Sequence, residues 1–331
     1  MSMDWKKGRR PLAGLAVMLL LFVAGGASCP GVLHQYVEPI PPVLTEEATL
    51  PEIIEAVNAN TARVRALSTD NASIKSDGLP ALKSRIVFEG QNYFRLQARL
   101  LGSEEVDLGS NRERFWLWIK RSTPKALYFC RHDQFDQSPA RRMFPVEPRW
   151  LVGAIGLPHF DPQDQHHGPY RRDGGRIEVH TVHATSLGNQ TKVTVIDDRR
   201  GWVLEQRLYD AKNRLIASAT AQGHRSHTLG GDIHQRVVLP QIVHVQWPAM
   251  GLSMKIDLGE VTLNGAPVSD QVWAMPDYSG WKNIDLGSQQ LPATLKAIPS
   301  RATVPPAEYG RRPAEYGRPP ADHNSRRRVA P

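Results

Sequence analysis

The sequence predicts a mainly-β fold of the α+β class, built on one large, curved antiparallel sheet. Three observations carry that prediction. The stretch from Ser84 to Arg131 is cut into short apolar runs by turn formers at Gly90-Gln91-Asn92, Gly102-Ser103, Gly109-Ser110-Asn111 and Ser122-Thr123-Pro124. From Phe94 the residues alternate: Phe94, Leu96, Ala98 and Leu100 point one way, and Tyr93, Arg95, Gln97 and Arg99 the other. That is the two-residue period of a half-buried strand. Phe115-Trp116-Leu117-Trp118-Ile119 does not alternate, so both its faces need cover. A sheet curved around something supplies that cover; a sheet with one wet face does not.

The chain of 331 residues is long enough for one large domain or two small ones. Its formal charge of +8 suggests nucleic acid until the charge is located. Residues 1–10 carry Lys6, Lys7, Arg9 and Arg10 against Asp4, and residues 301–331 carry seven Arg against Glu308, Glu315 and Asp322. Taking +3 and +4 from +8 leaves +1 on the 290 residues between. The folded body has no basic excess, and no nucleic-acid partner is expected. Two cysteines, Cys29 and Cys130, do not make a disulfide framework.

At the amino terminus, four basic residues precede an apolar run from Leu12 to Val23 and a small-residue exit, Ala24-Gly25-Gly26-Ala27-Ser28-Cys29. This is the pattern of an export signal over residues 1–28, and it is short for a membrane span. Small residues before a Cys resemble a bacterial lipobox, which makes Cys29 the lipidated first residue of the mature chain. Gly26 stands where that pattern usually has Leu. A plain cleaved signal, leaving a soluble periplasmic protein, and an uncleaved anchor are the alternatives.

Residues 30–47, rich in Pro and Val, read as an extended tether. A helix follows, with Thr49 as N-cap, Pro51 and Glu52 in the first turn, and Ile53, Ile54, Val57, Val64 and Leu67 at roughly helical spacing. Asn60 and Thr61 interrupt its apolar face, and the polar cluster Ser68-Thr69-Asp70 ends it. After the opening strands the chain reads as irregular from His132 to Gly175. It holds a short helix around Trp150 and a long polar loop from Pro158 to Gly175. Strands resume at Ile177–His183, Thr191–Ile196, Trp202–Tyr209 and Leu215–Gln222. Val237–Trp247 follows, interrupted by Pro240, then Leu252–Leu258 and Val261–Leu263. The total is about ten or eleven strands joined mostly by short turns, hence antiparallel neighbours in a sheet large enough to curl. From Ser288 to residue 331 the composition turns to Pro, Arg, Ala and Gly, with Pro-Ala-Glu-Tyr-Gly-Arg repeated at 306–311 and 313–318. A disordered tail is expected there.

This order of elements resembles a family. Tyr93-Phe94-Arg95-Leu96, Val106-Asp107-Leu108-Gly109-Ser110-Asn111 and Phe115-Trp116-Leu117-Trp118 are similar to the strands of the periplasmic lipoprotein-sorting proteins LolA and LolB and their superfamily. Leu239-Pro240-Gln241-Ile242, Trp247-Pro248 and Val261-Thr262-Leu263-Asn264 resemble the end of such domains. The resemblance covers residues 48–286; the Arg-rich tail departs from it. It implies an incomplete barrel whose concave face is covered by helices, with an apolar cavity for acyl chains. With Cys29 lipidated, the membrane-anchored LolB-like member is the nearer analogue.

The candidate cavity residues are Phe94, Leu96, Phe115, Trp116, Leu117, Trp118, Trp202 and Leu204. A lined cavity gains about 0.8 kcal/mol per buried methylene of an acyl chain. Periodicity alone equally allows the helix 51–67 to fill it, leaving a non-catalytic envelope interaction module. His159, Asp161, His166 and His167 cluster in the polar loop without a recognised metal-binding spacing, and His180 and His183 face opposite sides of a strand. No metal or cofactor is expected. No nucleophile motif is present; Cys130, beside Leu127, Tyr128 and Phe129, reads as a buried inert thiol. The expectation is an exported, membrane-anchored envelope protein, not an enzyme, whose partner is a lipid or a lipoprotein acyl chain. Arg326-Arg327-Arg328 and the tail repeats suit anionic headgroups, or merely keep the tail soluble.

Overall fold

The structure is a computed structural model describing residues 41–76, 78–90, 92–138, 141, 148–230, 232–248 and 251–288. The signal segment, Cys29, most of the tether and the tail beyond Ser288 lie outside the described residues.

Helix α1 (Leu50–Ala62) begins where Thr49 and Glu52 place it. The Glu52 carboxylate accepts from the Thr49 backbone N–H at 2.7 Å and from its hydroxyl at 2.8 Å, which closes the first turn. Ile53 and Val57, one turn apart, are its buried residues, each contributing roughly 1.5–3 kcal/mol. The polar residues that interrupt the apolar face are anchors. Asn58 exchanges two hydrogen bonds with the Phe160 backbone. Asn60 does the same with Val238, and the Thr61 hydroxyl donates to the Pro158 carbonyl at 2.6 Å. The helix stops at Ala62, short of the expected Leu67. Asn264 there accepts from the backbone N–H groups of Arg65 and Ala66, and the chain turns into the first strand.

That strand is β1 (Ala66–Ser76). Then come β2 (Leu82–Glu89), β3 (Tyr93–Leu100), β4 (Ser103–Ser110), β5 (Arg114–Ile119) and β6 (Ala126–Arg131). Two short helices follow, α2 (His132–Phe135) and α3 (Pro148–Ala154). The chain returns through β7 (Gln165–Arg172), β8 (Arg176–Thr185), β9 (Gly188–Asp197), β10 (Val203–Tyr209) and β11 (Leu215–Gln222). A separate hairpin, β12 (Arg225–Leu229) with β13 (Asp232–Leu239), precedes β14 (Ile242–Trp247), β15 (Leu252–Asp257) and β16 (Thr262–Leu263). The last strand is β17 (Lys282–Asp285).

All but the hairpin join one 15-stranded sheet in the order β17-β6-β5-β4-β3-β2-β1-β15-β14-β11-β10-β9-β8-β7, with β16 on β1. The sheet is curved and keeps two free edges, so it is an incomplete barrel. Its pairings are antiparallel except that of β17 with β6, which is parallel.

Three expectations are corrected. The polar stretch 158–175 is not wholly a loop, because its second half is edge strand β7. Gln165–Arg172 has too few apolar residues to show alternation and is held by its pairing to β8, with Pro169 at the irregularity between His167 and Tyr170. Val237–Trp247 is two strands in two sheets, with Pro240 at the corner. The seventeen described strands exceed the expected number: β1 begins where the helix is expected to run on, β13 and β14 replace one expected strand, and β7, β12 and β17 carry no apolar period.

Candidate functional site

The strand register sorts the sheet into two faces. One inner row is Phe88, Phe94, Ser110, Phe115 and Cys130; the next is Ile86, Leu96, Leu108, Leu117 and Tyr128. Against these rows α3 and the residue after it place Leu151, Ala154 and Ile155 in one cluster with Phe94, Leu96, Ala98, Val243, Val245 and Ile256. Buried Gln206 fixes the helix by donating to the Gly153 carbonyl at 2.9 Å. Helix α1 covers a different part of the sheet, packing Ile53 and Val57 on Ile177, Val179 and Ile196. Helices therefore cover the concave face as expected, but α3 rather than the long helix sits on the aromatic strands.

The two ends of this inner face differ. One is closed: Leu67 and Phe88 are buried with Leu157 and with Leu229, Val237 and Leu239 of the β12–β13 hairpin. At the other, Leu82, Val106, Leu108, Met254 and Trp150 pack against the central cluster yet stay half-buried. Trp150 lies 6.2 Å from Trp247 there, beside Leu208, Ile216 and Ala217. The pairing pattern brings the β1–β2, β3–β4, β5–β6, β8–β9, β10–β11 and β14–β15 turns to this same rim. Seven large hydrophobics are exposed among the described residues, and five of them, Leu79, Leu101, Ile119, Leu187 and Leu215, are on this rim. Leu101 is 99% exposed, at a turn position with φ of 48°. Exposed lysines Lys75, Lys83, Lys125, Lys212 and Lys255 stand near these tips.

The eight residues chosen from the sequence do not share one wall. Phe94, Leu96, Phe115 and Leu117 are on the inner face, though Phe115 packs with Phe135, Cys130 and Leu286 near the sheet edge. Trp116 and Trp118 point outward, where Met275, Tyr278 and Trp281 bury them. Trp202 stacks on His224 with centroids 5.0 Å apart, and Leu204 is half-buried beside the irregularity in β10. The non-alternating strand β5 thus has both faces covered, the outer one by the chain after β16.

That outer cover holds a buried polar group. Asp107, fully buried, pairs with Arg95 at 2.7 Å and accepts from Trp116 Nε1 at 3.3 Å. Arg95 also donates to the Val272 carbonyl, and Tyr278 stacks on Trp118 at 4.1 Å. Residues 264–281 escape sequence reading because they lack a period. The signal they do carry is aromatic spacing: Trp273, Tyr278 and Trp281.

Elsewhere the polar side chains hold structure together. His166 spans the Thr181 hydroxyl and the Asp161 carbonyl, and His183 pairs with Asp164 at 2.8 Å. Among the described residues no group of three or more His, Cys, Asp or Glu is arranged to hold a metal ion. Cys130 is buried, and burial, with Asp285 adding to it, pushes its thiol up to about 11. No helix among the described residues is long and apolar enough to cross a membrane.

No protein-family model and no curated protein matches the chain. Among solved structures it is similar to a DUF1329 family protein from Desulfovibrio piger, at 14% identity and a TM-score of 0.42 over 67% of this chain and 97% of that one. It is similar to a domain described as an outer membrane lipoprotein-sorting protein from Vibrio parahaemolyticus, at 11% identity and a TM-score of 0.44 over 66% and 95%. A LolA superfamily protein from Nitrosomonas europaea gives 10% identity and a TM-score of 0.38 over 67% and 97%. Lipoprotein-sorting and LolA superfamily proteins are thus among the solved structures to which it is similar.

Proposed function

We propose that this is an exported envelope protein that takes up a lipid or lipoprotein acyl chain through the open end of its inner face, for carriage or sorting and without chemistry. One observation carries the reading: among the described residues, the half-buried apolar band and five of the seven exposed large hydrophobics fall on the same rim. Isolated exposed leucines need no explanation, but five at the strand ends of one rim, beside a half-covered core, favour an apolar partner. The exposed lysines add attraction to anionic headgroups, about 1 kcal/mol each near such a surface. The mouth then faces the membrane from which the chain is drawn. With Phe94 and Leu96 buried under α3, this reading runs the chain along the half-buried Leu82, Val106, Leu108, Leu117 and Met254. The amino-terminal signal supplies export, a lipidated Cys29 supplies an anchor, and the Arg-rich tail adds headgroup contact.

The test is native mass spectrometry of the exported chain purified without detergent. A co-purifying mass of fatty-acid or phospholipid size, lost on denaturation and reduced in Leu82→Asp and Leu117→Asp, is the expected result. A clean apo mass with no uptake of added lipid would replace this reading with a non-catalytic interaction module whose core is filled.

A further inference from the structure

The repeated Pro-Ala-Glu-Tyr-Gly-Arg of residues 306–311 and 313–318 has no part in the acyl-chain reading. The surface of the body has a place for it. The stretch leading into α1 and the first turns of that helix form an open cleft of about 550 Å³, within the usual range for a ligand. Its apolar part is buried Leu44, half-buried Ala56 and exposed Pro51 and Val43. Among the described residues, Val43 is one of the two exposed large hydrophobics that do not lie on the rim. Glu52 and Glu55, exposed and about one helical turn apart, are its charged part. The cations close by are already engaged: Arg199 pairs with Glu46 at 2.7 Å and Arg200 with Asp197 at 3.4 Å. Glu52 uses Oε2 for both bonds of the helix cap, which leaves Oε1. Glu55 has no ion pair or hydrogen bond among the described residues.

We infer that this cleft is the docking site of the chain's own repeat. Tyr309 or Tyr316 lies on Val43, Pro51 and Ala56. Arg311 or Arg318, two residues further on, pairs with Glu55 and the free Glu52 oxygen. The Glu before each Tyr suits Arg199, whose carbonyl accepts from the Val43 and Leu44 N–H groups. Charge alone does not select the repeat, because Arg326-Arg327-Arg328 carries more of it but brings no ring to the apolar part. That triplet lies past both repeats and stays available to headgroups. Reach is sufficient. Ser288 is followed by 24 residues before the second repeat, which span at most about 80 Å, against roughly 70 Å half-way round a compact body of about 250 residues. Docking there returns the carboxyl terminus to the stretch through which the body joins the residues leading back to Cys29. The inference is independent of lipid uptake.

The test uses the full exported chain and a fluorescent peptide of residues 306–318, followed by anisotropy. In one chain Tyr309→Ser, Arg311→Ser, Tyr316→Ser and Arg318→Ser disable its own repeats. That chain binds the peptide. The wild type binds it about tenfold more weakly, because its tail competes at an effective concentration of about 1 mM against a Kd of about 0.1 mM. Glu55→Lys in the disabled chain weakens the peptide by about fivefold, and a peptide carrying Arg311→Glu and Arg318→Glu restores affinity to within about twofold. A peptide of residues 324–331 does not bind. Equal binding by the wild type and the disabled chain, or none by the disabled chain, overturns the inference. So does full affinity in Glu55→Lys, which takes the repeat off this cleft. A wild type that excludes the peptide only at concentrations where it sediments as a dimer puts a second copy's tail in the cleft and overturns docking within one chain.

Discussion

The Tyr278 hydroxyl lies 2.8 Å from Asp107 Oδ2, joining the chain after β16 to the middle of β4 across the outer face of the sheet. The same oxygen is 3.0 Å from Glu104 Oε2. Burial first, and then the Asp107 charge and hydrogen bond, push the Tyr278 phenol well above its usual range. Tyr278→Phe keeps the stack on Trp118 and leaves a buried carboxylate oxygen short of a donor. The expected cost is about 1–3 kcal/mol, read from denaturant unfolding.

The sign of the alkaline dependence follows. A phenol whose folded pKa is raised stabilises the fold fully below the unfolded pKa of about 10, and that contribution is lost as pH rises above it. Unfolding free energy of the wild type should fall above about pH 10 more steeply than that of Tyr278→Phe. Parallel curves for the two proteins would remove Tyr278 from the account.

Gly109 lies under the Trp116 indole: a side-chain carbon there would overlap the six-membered ring of that tryptophan. Gly109→Ala is therefore expected to displace Trp116, disturb its bond to Asp107 and cost about 1–3 kcal/mol. Unfolding and near-ultraviolet dichroism of the tryptophans measure both effects. An alanine variant as stable as the wild type would show that the indole moves freely.

Gly109 also shows where sequence reading stops. In Gly109-Ser110-Asn111 it looks like a turn former, yet it sits inside β4, and its purpose lies in a residue on the next strand. The alternation of β3 was legible because inner residues are apolar and outer ones polar. So was the need of β5 for two covers. What covers its outer face was not, since residues 264–281 act through separate aromatic rings and one buried carboxylate. The division of the eight candidate residues between two faces follows directly from the register of β5, where Trp116 and Trp118 have the parity opposite to Phe115 and Leu117. Treating the aromatic run as one patch hid that. The rim was invisible for another reason: Leu79, Leu101, Ile119, Leu187 and Leu215 are ordinary singly and are seen to share one end of the sheet only when the strand order is known.

On the outer face of β8, Glu178 gathers His180 at 3.5 Å, Arg172 at 2.8 Å and Arg207 at 2.7 Å. The His180 imidazole leads in holding this carboxylate down at about 2, against its burial and with help from the two guanidinium groups. A depressed carboxylate stabilises the fold above its unfolded pKa of 4.5, and the contribution is lost as pH falls from there toward about 2. The melting temperature of the wild type should drop through that window. Glu178→Gln should start lower at neutral pH and change less. An equal acid slope in both would place the sensitivity elsewhere.

Leu101 combines two costs that a soluble turn has no reason to accept. It is almost fully exposed, and its φ of 48° puts a branched side chain in the left-handed region, at roughly 1–2 kcal/mol for an ordinary L-residue. Asparagine tolerates that conformation and water alike. Leu101→Asn is therefore expected to raise stability by up to about 1 kcal/mol. The same substitution takes from the rim its most exposed side chain, whose burial in a bilayer surface is worth about 1.5–3 kcal/mol. Sedimentation with anionic phosphatidylglycerol vesicles should then show affinity falling by roughly tenfold or more, while the melting temperature rises. Binding by the wild type should also weaken with added salt, because the lysines around the tips act through screened charge. A variant that is more stable and binds vesicles as well as the wild type would mean that the rim does not face a membrane, and Leu101 would be left as strain without a use.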